Sequence, residues 1–98
     1  MEIIWSHEAL ERLIEIEEFI GRDSPARAVT FIDELIDHTE TALTHNPQIG
    51  RMVPEVARPE IRELIHRGYR VVYRTKEDAV EILTLFEGHR LLRLDERW

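Results

Sequence analysis

The chain has 98 residues, 43% hydrophobic and 34% charged, a balance that fits one folded domain and excludes a disordered or low-complexity protein. It holds no cysteine, so disulfides and thiolate metal sites are excluded. It also lacks both the roughly 20-residue apolar run of a membrane-spanning helix and a basic-then-apolar leader, and a cytoplasmic domain over residues 1–98 is expected. The net charge of −7 is uneven. Residues 1–50 carry three basic against eleven acidic side chains, whereas residues 51–98 carry ten against nine. A field of that sign repels phosphate and argues against non-specific nucleic-acid binding.

In chain order, Glu2-Ile3-Ile4-Trp5 is a short β-prone run. Ser6 is a suitable helix N-cap, because its hydroxyl can accept a bond from an orphan backbone N–H, and Glu8 suits the positive end of the helix dipole. Ala9, Leu13, Ile16 and Ile20 recur at helical spacing, with Leu10 and Ile14 widening the stripe, and Gly21 ends the helix. Ser24-Pro25 starts a second helix with the serine as cap and the proline at the first helical position. Its buried stripe is Ala28, Ile32, Leu35, Ile36 and Leu43, and Asn46-Pro47 stops it. The short connection predicts an antiparallel helical hairpin.

Residues 47–60, with three of the four prolines, read as a loop. Three strands are predicted at 61–66, 69–75 and 79–87, with turns at Arg67-Gly68 and Lys76-Glu77-Asp78. The end of the chain, GHRLLRLDERW, reads as a short strand or a helical turn. The order β-α-α-β-β-β predicts an α+β fold, a helical hairpin on one face of a mainly antiparallel sheet.

Five arginines, Arg58, Arg62, Arg67, Arg70 and Arg74, fall in a short β-rich segment with only Glu60 and Glu63 between them. Unbroken strand alternation puts Tyr69, Val71 and Tyr73, with Val80, Ile82, Thr84 and Phe86, beneath the helices. It leaves Leu64, Val72, Leu83 and Leu85 as an apolar floor on the other face, edged by Arg62, His66, Arg70 and Arg74. An apolar patch with a polar rim is what a binding surface looks like. The alternative is that the chain's own tail, with Leu91, Leu92, Leu94 and Trp98, covers that floor.

The segments IRELIHRGYRVVYR, VEIL and Gly88-His89-Arg90 resemble the C-terminal signature of the RelE/ParE toxin superfamily of type II toxin–antitoxin systems, whose members often read VREL, GNYRIIYR and VEIL in that order. The Ala-Leu-Glu-Arg-Leu helix, the Ser-Pro-Ala-Arg-Ala helix start and the later Asn-Pro and Gly-Arg pairs extend the resemblance over nearly the whole chain. It implies a toxin, associated with plasmid stabilisation, whose small antitoxin folds along the sheet and the hairpin. Two activities compete. ParE-like members resemble inhibitors of DNA gyrase that do no covalent chemistry; RelE-like members resemble metal-independent endonucleases acting on mRNA at the ribosome. A nuclease would draw on Arg62, Arg70, Arg74 and Arg90 for cationic stabilisation and on His89 or His66 for proton transfer. The acidic net charge and the long hairpin favour the ParE-like reading. A third possibility is a toxin-fold module that binds antitoxin without activity. Where many ParE-like chains read His-Gly-x-Arg, this one reads Glu87-Gly88-His89-Arg90, so the histidine is displaced two places.

No cofactor motif occurs, neither a glycine-rich phosphate loop nor a His-Glu-x-x-His pair. Glu34 and His38 stand at i, i+4 without a third ligand at defined spacing, which does not make a metal site. The run Glu15, Glu17, Glu18 reads as a solvated helix face.

Overall fold

The computed structural model describes residues 1–88. Strand β1 (Glu2–Trp5) leads into helix α1 (His7–Gly21), and α2 (Pro25–His45) returns antiparallel to it. Then follow β2 (Arg51–Met52), β3 (Ile61–His66), β4 (Tyr69–Thr75) and β5 (Ala79–Glu87). The five strands form one sheet in the order β1-β5-β4-β3-β2. All neighbours are antiparallel except β1 and β5, where Glu2 lies beside Ala79 and Trp5 beside Ile82 in parallel. The α+β fold with a helical hairpin on one face is as the sequence predicts. The addition is β2, two residues within the expected loop, which pair with Arg62 and Glu63.

Local signals set the element ends. The Ser6 hydroxyl accepts from the Ala9 N–H at 3.0 Å and donates to the Leu83 carbonyl at 2.9 Å, so one side chain caps α1 and ties it to β5. Ser24 caps α2 through the Arg27 N–H, and Asn46 closes it. Arg67 and Gly68 both have positive φ, 47° and 86°, the pairing a two-residue hairpin loop requires.

The main core lies between hairpin and sheet. Ala9, Leu13 and Ile16 of α1 and Ile32, Leu35 and Leu43 of α2 meet Leu64, Val71, Tyr73, Val80, Ile82 and Leu85. Trp5 packs against this core and donates to Glu40 at 2.8 Å, joining β1 to α2. Leu10 and Ile14, expected to widen the buried stripe, are 47% and 57% exposed. The inward arc of α1 is narrower than the apolar sequence suggests, and these two side chains face outward. Ile20 and Ile36 are half-buried at the edge of the core.

A second, smaller core covers the opposite face of the sheet. Val53, Ile61, Val72 and Leu83 are buried there, with Val56 and Phe86 against them. The loop between β2 and β3 supplies Val53 and Val56, so the apolar floor is covered from within the described chain. The suggested cover by Leu91, Leu92, Leu94 and Trp98 lies outside the described residues.

Two features redistribute the side chains predicted from alternation. Val72 pairs with Thr84 but Tyr73 pairs with Ile82, so Leu83 is an unmatched bulge residue in β5. Beyond it the faces exchange: Leu85 turns in toward the helices, and Phe86 turns out. The register between β3 and β4 places Arg62 opposite Tyr73 and Leu64 opposite Val71, which brings Arg62, Leu64 and His66 to the helical face. A one-residue change of register moves every side chain to the other face, and that is the difference here.

Gly50 sits where the chain enters β2 and is fully enclosed. Its N–H donates to the buried Tyr73 hydroxyl at 2.9 Å, and its carbonyl accepts from Arg62 at 2.9 Å. Burial raises the Tyr73 pKa, a shift the Gly50 hydrogen bond opposes. A Cβ at Gly50 would lie 2.6 Å from both the Tyr73 hydroxyl and the Glu63 carbonyl oxygen. Gly50→Ala is therefore expected to destabilise the fold by about 1–3 kcal/mol, read as a lower midpoint in urea denaturation.

Candidate functional site

The arginines of the β-rich segment do not form one cationic surface. Arg70 projects from β4 onto the outer face and is 3% exposed. Its Nε donates to Glu63 at 2.6 Å, and its two terminal nitrogens each donate to Glu55 at 2.8 Å. Its guanidinium carbon also lies 4.9 Å from the centre of the Phe86 ring, a cation–π distance. Glu63, 1% exposed, is held from its other side by Arg51 at 2.6 Å. The Glu55 hydrogen bonds raise the Arg70 pKa further above its already high value, against desolvation by burial and with the help of Glu63. Glu55 belongs to the covering loop, so the cluster pins that loop onto the sheet.

The other residues expected on this face are divided. Val72 and Leu83 lie in the outer core, and Arg74 stands at its edge, 4.0 Å from Glu81. Leu64 and Leu85 are in the helix-side core. Arg62, also on the helical face, donates to the Gly50 carbonyl and to the Gln48 side chain. His66, on that face too, packs against Phe31 and His38 with ring centres 5.9 and 4.9 Å away. The proposed single face of Arg62, Leu64, His66, Arg70, Val72, Arg74, Leu83 and Leu85 is thus two faces, because register and bulge override simple alternation. Of the nuclease candidates, His89 and Arg90 lie outside the described residues. Arg62, Arg70 and Arg74 do not converge.

An open cavity of about 560 Å³ lies elsewhere, at the tip of the hairpin. Phe19 of α1, Phe31 of α2 and Tyr69 of β4 contribute aromatic walls, and Arg27, Glu34 and Arg67 stand among its polar groups. Phe31 and Tyr69 pack with ring centres 5.5 Å apart. Phe19 remains 52% exposed. A smaller cleft of about 270 Å³ adjoins it, sharing Phe19 and Tyr69 and reaching Leu85 and Phe86 at the end of β5. The two adjoin at Phe19 and Tyr69 and together make a groove between hairpin and sheet, aromatic at its centre and lined by charged side chains at its edges. Sequence reasoning did not single out this groove. Its only signal was an apolar side chain, Phe19, lying off the buried stripe of its helix.

Among the described residues no group of three or more His, Cys, Asp or Glu side chains is arranged to hold a metal ion. No described helix is long and apolar enough to cross a membrane. Removing Arg70 leaves Glu63 and Glu55 facing each other without their shared cation. Arg70→Ala is therefore expected to cost about 3–5 kcal/mol of stability, and Arg74→Ala less than about 1 kcal/mol because its ion pair is long, at 4.0 Å, and partly exposed. Denaturation of the two variants side by side checks the contrast.

Comparison with curated protein sequences gives no match. Among solved structures, one described as the chromosomal ParDE TA system from P. aeruginosa contains a chain of the same fold. It superposes with a TM-score of 0.73 at 20% identity, over 89% of this chain and 95% of that one. The family described as the ParE toxin of the type II toxin–antitoxin system parDE matches residues 3–92. Nearly the whole chain is thereby accounted for, and the protein belongs to the ParE toxin family.

Proposed function

We propose that this protein inhibits DNA gyrase and is neutralised by a cognate antitoxin that lies in the groove between hairpin and sheet. Family membership supports a toxin of a ParDE pair. The observation that favours gyrase inhibition over RNA cleavage is the state of Arg70. A cation that stabilises a pentavalent phosphate must face the substrate and be free to gain interactions as charge develops. Arg70 is instead enclosed by Glu55 and Glu63, while Arg62 lies across the sheet from it. The chain's net charge of −7 also suits ribosomal RNA poorly.

The groove suits an amphipathic segment that orders on binding. Phe19, exposed beside Phe31 and Tyr69, offers area for an apolar anchor, and Arg27 and Arg67 stand close by for polar contacts. Of the residues expected from sequence to bind a partner, Arg62, His66 and Arg74 keep accessible surface, whereas Leu64, Arg70, Val72, Leu83 and Leu85 are buried. Partner contacts would therefore rest on the groove and the outward side chains of the hairpin. With gyrase as the target, the site of action is the cytoplasm.

The purified protein is expected to block supercoiling by gyrase and to leave mRNA intact on translating ribosomes. Cleavage of mRNA, lost on Arg74→Ala with supercoiling untouched, would assign the nuclease activity instead. No response in either assay, with no slowing of growth on expression, would assign a binding module without activity. Phe19→Asp is expected to weaken antitoxin binding by about tenfold or more without lowering stability, as read by titration calorimetry.

A further inference from the structure

His38 and His66 come together across the junction of α2 and β3, with ring centres 4.9 Å apart and planes tilted by 33°. His66 Nε2 is shut off from solvent and finds no hydrogen-bond partner among the described residues. The groups facing this ring are few. His38 and Glu34 approach from α2, Arg67 from the β3–β4 turn, and Tyr69 is its cross-strand neighbour. Arg62 shares its face four residues back on β3. Glu34, the one carboxylate in the set, already pairs with Arg67 at 3.4 Å. Phe31, which packs on both His66 and Tyr69, is part of the wall of the hairpin-tip cavity.

We propose that the His38–His66 pair is an acid-operated seam, at which uptake of a proton loosens α2 from β3 and deforms the aromatic cavity beside it. An imidazolium donates from both ring nitrogens, so a protonated His66 needs an acceptor at Nε2. The described residues provide none there, and an unpaired buried donor is costly. Glu34 already holds Arg67 through one carboxylate oxygen, and the positive charge of Arg67 opposes a new cation on His66. The ring must turn or the seam must part.

Desolvation holds the His66 pKa below its ordinary value, with His38 and Arg67 acting in the same direction and Glu34 against them. The folded state thus binds this proton less readily than the unfolded chain. The stability contributed by neutral His66 is complete above the ordinary histidine value of 6.5 and is lost as pH falls from there through the lower folded value. Any effect on antitoxin docking rests on the groove reading above, but the seam itself is testable on the isolated protein.

The test is a pH titration from 8 to 5 of the imidazole carbons by NMR, with urea denaturation of the wild type, His66→Phe and His38→Gln at both ends of the mildly acidic range. His66 is expected to titrate below the ordinary value and to move upward in His38→Gln. Acidification should raise the unfolding equilibrium constant at least about threefold more in the wild type than in His66→Phe. Amides of α2 around Phe31 and of the β3–β4 turn should lose protection, measured against their intrinsic exchange rates at each pH, in acid only where His66 is present. A His66 midpoint at or above the ordinary value, or the same acid sensitivity in His66→Phe, overturns the proposal. Should His66→Phe fail to fold, the wild-type titration and His38→Gln decide alone.

Discussion

Arg70 carries a full charge into a site that is 3% exposed, and the outer half of the structure is arranged to satisfy it. Glu63 meets it from the neighbouring strand, Glu55 from the loop above and the Phe86 ring from β5. Each contact depends on another feature. Glu63 reaches Arg70 only in the observed register of β3 on β4, and Phe86 turns outward only because Leu83 bulges. Glu55 arrives because Val53 and Val56 bury themselves on Ile61, Val72 and Leu83. A buried cluster of this kind adds little net stability over an apolar replacement. Its effect is on alternatives: a slipped register or a lifted loop would strand a charge in the core.

The same arrangement shapes the functional reading. Basic residues concentrated in one segment suggest a phosphate-binding face, yet the carboxylates opposite them neutralise the central one and the sheet separates the rest. Among the described residues, what stays open is the hairpin side, where Phe19 and the adjoining groove present aromatic area. The proposed antitoxin site draws on that surface. The rigid core is shared between hairpin and sheet, while the groove is formed at their free end, where loosening costs the fold least.

Most of the fold was legible in the residues. Ser6 and Ser24 cap their helices, Pro25 starts the second, and Arg67-Gly68 makes the hairpin turn, all through interactions within a few positions of each residue. The candidate site was less legible. Arg70 reads in sequence as one of several rim arginines on a binding face, because its partners, seven and fifteen residues upstream, are ordinary glutamates in sequence. Phe31, Tyr69 and His66 meet only because α2 crosses β3 and β4 at that point.

The sequence by itself determined the order and limits of the helices and the main strands, and the family to which the chain belongs. Tertiary structure alone decided which side chains share a face. Helix caps, turns and hydrophobic periodicity are short-range physics, written in neighbouring residues. The bulge at Leu83 is different, because the Leu83 carbonyl is satisfied by a serine 77 positions away. So is the pairing of Arg62 with Tyr73, which is fixed by the packing of a whole sheet under two helices. From those two long-range choices follow a buried Arg70 in place of a basic binding face, and an aromatic groove on the opposite side.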